Sequence, residues 1–236
     1  MHRISIFVVC LSLLAGPALA GPTWTAIGLN VKTGKEAKLI AAMEKLNASE
    51  PGQMRPGTIS LMRSVVDGAS PATHTVIVSY DSRAQQENYL AKLFPSDEWE
   101  SFQERLDDLS SPAGISRQYN LQSWGDESDD DMVWEIYAFH VTDPAAFVAA
   151  LDKLMTAEAT AGFPGQVHLS AVAFAGQADA THLIGVGYAS EAEAEAWADP
   201  FNQTQTWQDY IAASRAAATQ RGSWLLRTVK TWQANQ

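Results

Sequence analysis

Apolar and polar positions alternate along this chain with two different periods, and the periods change in a fixed order. Over residues 24–31 the period is two. Ile27, Leu29 and Val31 fall on one face and Trp24, Ala26, Gly28 and Asn30 on the other, which predicts a strand. Over 35–47, Leu39, Ile40, Met43 and Leu46 follow the spacing of an amphipathic helix. Pro51-Gly52 and Pro56-Gly57 then break regular structure. The strand pattern returns over 58–66 and 73–80, on either side of a turn at 67–71. A helical stretch begins at Ser82, carries Tyr89 and Leu93, and resumes after Pro95 with Trp99, Phe102 and Leu106. Residues 115–124 read as a fourth strand, so the order is β-α-β-β-α-β.

The whole order then recurs. Strands are predicted at 134–141, 166–174, 181–188 and 223–232, and helices at 144–154, 191–197 and 206–217. Asp143 is placed to cap the first of these helices, with Pro144 at its first position. Ala72-Thr73-His74 through Tyr80 reappears as Ala180-Thr181-His182 through Tyr188, an offset of 182 − 74 = 108. The same offset relates Pro56-Gly57 to Pro164-Gly165, Trp99 to Trp207 and Trp124 to Trp232. One offset over most of the chain indicates a duplicated domain. The copies differ by two residues before the first helix, Lys32 to Lys38 against Thr142 to Ala146.

Between the copies, Gly125-Asp126-Glu127-Ser128-Asp129-Asp130-Asp131 has no apolar residue and reads as a solvated linker. It lacks the spaced D-x-D-x-D-G pattern of a calcium loop. The first twenty residues read as an address. His2-Arg3 is a positive start, 4–14 an apolar run, and Ala18-Leu19-Ala20 a small-x-small cleavage site. The expected organisation is therefore a signal peptide at 1–20 cleaved after Ala20, a first repeat at 21–124, an acidic linker at 125–132 and a second repeat at 133–236. The expected location is periplasmic or secreted. Cys10, the one cysteine, lies within the apolar run, so the exported chain has neither a disulfide nor a thiolate site. Without Arg3 it carries 15 basic and 27 acidic residues, a net charge of −12. That sign argues against nucleic acid and anionic membranes as partners.

A β-α-β-β-α-β unit covers one face of its sheet with helices and leaves the other open. Two such units bury both open faces by packing sheet to sheet. The expected fold is thus α+β: tandem ferredoxin-like units forming an α/β barrel within one chain, a monomer that is a pseudo-dimer. Here the chain resembles the dimeric α/β-barrel superfamily, and in particular the antibiotic-biosynthesis monooxygenases. The likeness rests on the element order and on a strand ending in an aromatic, then Ser, then a helix with an aromatic further on: Tyr80-Asp81-Ser82 through Tyr89, and Tyr188-Ala189-Ser190 through Trp197. Haem-degrading members carry an Asn ending the first strand, matched by Asn30, and an axial histidine on the second helix. Gln103 and Ile211 fall at that histidine position and neither ligates iron. Other members oxidise activated aromatic substrates without a cofactor, which requires an apolar cavity and a base.

If one strand parity faces the helices, the other fills the barrel. It brings Trp24, Gly28 and Asn30 inside from the first copy and Trp134, Ala138 and His140 from the second, with Ser60 and His168 on the following strands. Small, aromatic and polar residues converging there suit either a small-molecule pocket or a packed core. His140 and His168 are the candidate catalytic groups, since imidazole exchanges protons near neutral pH. Trp24, Asn30, Ser60 and Trp134 are the candidate ligand-binding residues. Neither histidine has a histidine counterpart in the first copy. A single site in one half and ordinary drift between copies both account for that. The matched pair His74 and His182 reads as structural. No metal-ligand spacing, nucleophile elbow or phosphate loop is present, and no metal or cofactor is expected. Two readings follow: an exported small-molecule-binding or otherwise non-catalytic protein, or a cofactor-independent monooxygenase-like enzyme acting on a small aromatic or quinol-like substrate.

Overall fold

Leu29 on strand β1 (Thr23–Val31) packs with Leu39 and Met43 of helix α1 (Glu36–Asn47), and this one-sided burial is repeated around the molecule. The computed structural model describes residues 21–66, 72–125, 130–175 and 179–234. After α1 come α2 (Glu50–Gln53), β2 (Ile59–Val66), β3 (His74–Tyr80), α3 (Arg83–Leu93), α4 (Asp97–Leu109) and β4 (Ser110–Trp124). The chain continues with β5 (Val133–Val141), α5 (Pro144–Met155), β6 (Val167–Ala175), β7 (His182–Tyr188), α6 (Glu191–Phe201), α7 (Gln205–Ala217) and β8 (Ala218–Trp232). Every α-helix but α1 starts where the sequence offers an oxygen to its free N–H groups. Asp143 accepts from Ala146 N, and Ser82, Ser96, Ser190 and Thr204 accept likewise from the residue three positions on.

The eight strands close into an antiparallel barrel in the order β1-β3-β2-β8-β5-β7-β6-β4. Because every neighbour is antiparallel, β1, β2, β5 and β6 run one way and start at the same mouth. The registers of the two halves correspond. Thr23 pairs with Tyr80 and Tyr119 as Val133 pairs with Tyr188 and Arg227. Ile59 pairs with Trp232 as Val167 pairs with Trp124. Two apolar clusters fill the space between sheet and helices, one around Leu39 and Leu61, the other around Phe147 and Leu169. Trp99 and Trp232 pack on the first and Trp124 and Trp207 on the second. The architecture is an α+β barrel with seven α-helices among the described residues.

β4 and β8 begin at Ser110 and Ala218, five residues before the positions expected from the sequence. Proline and glycine, here Pro112 and Gly114, ordinarily interrupt a strand. In the barrel the ladder absorbs them in a bulge: Gly28 faces Gly114 while Leu29 faces Pro112, and Ala138/Phe139 against Gly222/Gln220 repeats it. The break at Pro51-Gly52 is also a short helix, α2, capped by Ser49. The solvated-linker reading needs correcting at its end, since Asp131 is buried, with 7% exposure. The remainder of the acidic run at 126–129, the turn at 67–71 and the proposed address at 1–20 lie outside the described residues. No helix among the described residues is long and apolar enough to cross a membrane.

His74 and His182 are both buried, and each faces the preceding threonine hydroxyl at 3.0 Å through Nδ1. Those hydroxyls also accept from the backbone N–H of Val31 and Val141, tying β3 to β1 and β7 to β5. The pair is part of the ladder.

Candidate functional site

Trp24, Trp134, Ser60 and His168 are the second residues of β1, β5, β2 and β6, so all four lie near the same mouth. Asn30 and His140 lie near the far ends of β1 and β5, six residues further along each strand and so about 20 Å away. The six candidates are therefore split, and His140 does not share a site with His168. His140 Nδ1 sits 3.2 Å from Asp179 Oδ1, and Arg221 pairs with Asp179 Oδ2 at 3.0 Å, in an exposed cluster.

At the first mouth the two indoles converge on one imidazole. Trp24 meets His168 edge to face at a centroid distance of 4.8 Å, and Trp134 stacks on it at 5.6 Å and 15°. His168 Nδ1 lies 2.8 Å from Ser123 Oγ and Nε2 lies 3.2 Å from Gln166 Oε1. Burial among the rings disfavours the charged imidazolium and pushes the His168 pKa down to about 4, so the ring is neutral at physiological pH. Trp134 Nε1 donates to the Asp131 carbonyl at 3.2 Å, whereas Trp24 Nε1 is buried without a hydrogen-bond partner. Ser60 occupies the position of His168 in the other half and faces Thr231 Oγ1 at 3.1 Å.

Asp131 and Ser123 were not legible as site residues. Asp131 stands at the end of an acidic run, and Ser123 follows a shift in the β4–β6 register that changes the strand's parity. Gly187 makes room for the first of them: a Cβ there would lie 2.7 Å from Asp131 Oδ2 and 3.0 Å from the Trp134 ring. Two concavities of about 460 and 490 Å³ lie elsewhere, one between α1 and the end of β8 around Arg55, the other between α1 and α4. No group of three or more His, Cys, Asp or Glu side chains among the described residues is arranged to hold a metal ion.

No family model and no curated protein matches this chain. Solved structures do. A candidate monooxygenase from Lactobacillus acidophilus NCFM aligns over 91% of this chain and 97% of its own, with a TM-score of 0.64 and 14% identity. An anthrone oxidase-like protein aligns over 92% and 94%, with a TM-score of 0.60 and 15% identity. A candidate monooxygenase from Fusobacterium nucleatum subsp. nucleatum ATCC 25586 aligns over 91% and 95%, with a TM-score of 0.61 and 14% identity. At such identities the likeness is one of fold, that of the dimeric α/β barrels.

Proposed function

We propose that this protein is a cofactor-independent, monooxygenase-like enzyme that oxidises a flat, oxygen-bearing aromatic molecule at the Trp24–Trp134–His168 mouth. The observation that carries the reading is the neutral imidazole held between two indoles. The rings offer stacking faces to a planar substrate, and the free Trp24 N–H offers a donor to its oxygen. Ser123 is exposed at the mouth and is the neighbour a ligand displaces from His168 Nδ1. The fold neighbours named for monooxygenase or anthrone oxidase-like character support the reaction class by analogy.

For an anthrone-type substrate the balance is a ring CH2 and dioxygen giving a ring carbonyl and water. His168 takes one proton from the CH2, leaving an enolate. The enolate reduces dioxygen, and a carbon–oxygen bond forms to give a peroxide. The protonated histidine returns its proton as the O–O bond breaks, the second C–H hydrogen leaves with the departing hydroxide as water, and the ring keeps one oxygen. The test is oxygen uptake with anthrone, following quinone absorbance. One dioxygen consumed per quinone formed, lost in His168→Gln, supports the reading. A rate equal to the buffer blank overturns it.

One observation favours binding without turnover: an imidazole with a pKa of about 4 is a weak base for operation near neutral pH. That reading gives saturable quenching of indole fluorescence by the same molecules with no oxygen uptake.

The tandem organisation is also our proposal, with repeats at 21–124 and 133–236 and a monomeric pseudo-dimer. The corresponding registers of β1/β3/β4 and β5/β7/β8 support it. So is export after cleavage at Ala20, which rests on the first twenty residues.

A further inference from the structure

Arg55 is 2% exposed, yet no carboxylate among the described residues pairs with its guanidinium. Its N–H groups go to neutral oxygens instead. Nε donates to the Gly57 carbonyl at 2.7 Å, Nη1 to the Asn47 side-chain oxygen, and Nη2 to the Trp232 and Gln233 carbonyls at 3.2 and 2.6 Å. Dipoles satisfy these donors but leave a buried positive charge unanswered, which is costly until an anion arrives. Burial pushes the Arg55 pKa down, and the groups opposing it are the Tyr89 and Tyr80 hydroxyls rather than a carboxylate.

A guanidinium has five N–H donors, and these four bonds leave one N–H on Nη1. Because Arg55 can only donate, the Asn47 oxygen must face it, and the Asn47 amide nitrogen is left without an acceptor among the described residues. Arg55 and Asn47 both line the concavity of about 460 Å³ between α1 and the end of β8, together with Glu44, Ala48 and Trp232. The one carboxylate there, Glu44, is held by Lys230. At the matching place in the other half, the acid Asp152 accepts from Gln122 Nε2 at 2.8 Å and from Trp124 Nε1 at 3.4 Å. Lys230 and Trp232 are the counterparts of Gln122 and Trp124, and Lys230 takes the acid for itself, so the Trp232 indole N–H has no acceptor among the described residues.

The other half also lacks the cation. Phe163 and Met155 stand at the positions of Arg55 and Asn47, and Phe163 packs edge-on against Tyr188 and Trp197 at 5.5 and 5.4 Å. The same frame is thus closed with apolar contacts in one half and carries an unanswered charge beside a cavity in the other.

We propose that this cavity binds a small organic monocarboxylate, whose oxygens accept from Arg55 Nη1 and the Asn47 amide and whose apolar body lies against Trp232. The planar donors suit a carboxylate. A single unanswered cation calls for one anionic group, and Glu44 disfavours a second. The volume is that of a small-molecule site. The cavity lies outside the barrel wall and is separate from the Trp24–Trp134–His168 mouth.

The test is titration of the protein with benzoate and with benzamide, its uncharged isostere, following the side-chain N–H resonances of Arg55, Asn47 and Trp232. Benzoate is expected to shift all three saturably and to bind at least about tenfold more tightly than benzamide, the margin a charge-assisted hydrogen bond supplies. Asn47→Asp keeps an oxygen against Arg55 Nη1 and places a fixed carboxylate there, so it should fold as wild type and lose benzoate. Trp24→Ala and His168→Gln, both at the mouth, should leave benzoate binding at this cavity unchanged. Equal binding of benzoate and benzamide, benzoate still held by Asn47→Asp, or no shift at Arg55 and Asn47 overturns the proposal. Inorganic phosphate binding as tightly as benzoate overturns the carboxylate assignment.

Discussion

Ser60 Oγ lies 3.1 Å from Thr231 Oγ1 in the first half of the barrel, at the place where the second half sets His168 Nδ1 2.8 Å from Ser123 Oγ. The two contacts occupy matching register positions, yet only one contains a group that titrates. Both indoles, Trp24 from the first half and Trp134 from the second, lean on the imidazole. The matching registers thus give a symmetric frame, and a single side chain makes one side of the mouth chemically distinct.

Burial of that imidazole makes stability depend on pH. The unfolded chain binds a proton to His168 near the ordinary histidine value of about 6.5, and the folded chain only near about 4. Between those limits the unfolded state holds more protons, so stability falls as pH falls from about 6.5 and levels below about 4. The full effect is up to about 3 kcal/mol. Burial lowers the His182 pKa as well and adds in the same direction. We expect His168→Gln to flatten the urea-midpoint profile across this range while the wild type slopes.

Gly187→Ala is expected to act on both the fold and the site. Its Cβ would meet Asp131 Oδ2 at 2.7 Å and Trp134 at 3.0 Å, so the carboxyl and indole must move. Overpacking of this kind costs about 1–3 kcal/mol. The change should appear in denaturation midpoints and as displaced His168 ring resonances, whereas Gly34→Ala leaves those resonances in place: Gly34 has φ +74 and nothing within 4 Å of an added Cβ.

Glu36 joins Arg63 and His74, with Oε1 2.5 Å from Arg63 Nη2 and Oε2 2.7 Å from His74 Nε2. The Arg63 hydrogen bond, followed by that of His74, lowers the Glu36 pKa against the opposing effect of burial. A lowered carboxylate contributes stability above its unfolded value of about 4.5 and loses it as pH falls through the folded one. Glu36→Gln should destabilise by about 1 kcal/mol at neutral pH and less in acid, measured by thermal melting at both.

Leu39 and Phe147, 108 positions apart, are both fully buried and anchor the two helix–sheet clusters. Phe147→Ala should cost about 3–5 kcal/mol and Leu39→Ala about 2–5 kcal/mol, since each leaves a cavity that rigid strands cannot close. Chemical denaturation reads both.

The frame was legible in the sequence because its signals are local and come twice. Alternating Ile27, Leu29 and Val31 and the Thr-His pairs at 73 and 181 placed strands correctly to within a residue or so. The site was legible in part. Period-two parity put Trp24, Trp134 and His168 on the inward face. It does not say at what height around the barrel each residue ends, and so left His140 and Asn30 unsorted from them. Ser123 was hidden by a register shift. Asp131 was hidden because the linker's other acidic residues mask one carboxyl that turns inward beside Gly187. Such contacts are decided by tertiary packing, which no local pattern encodes.

The most direct measurement is titration of the protein with anthraquinone, a flat aromatic ketone that cannot turn over, while following the ring resonances of its histidines. We expect the His168 resonances to move saturably with ligand, those of His140 at the opposite mouth to stay, and the movement to be lost in Trp24→Ala. Shifts at His140, or none at either histidine, would contradict a binding mouth built on Trp24, Trp134 and His168.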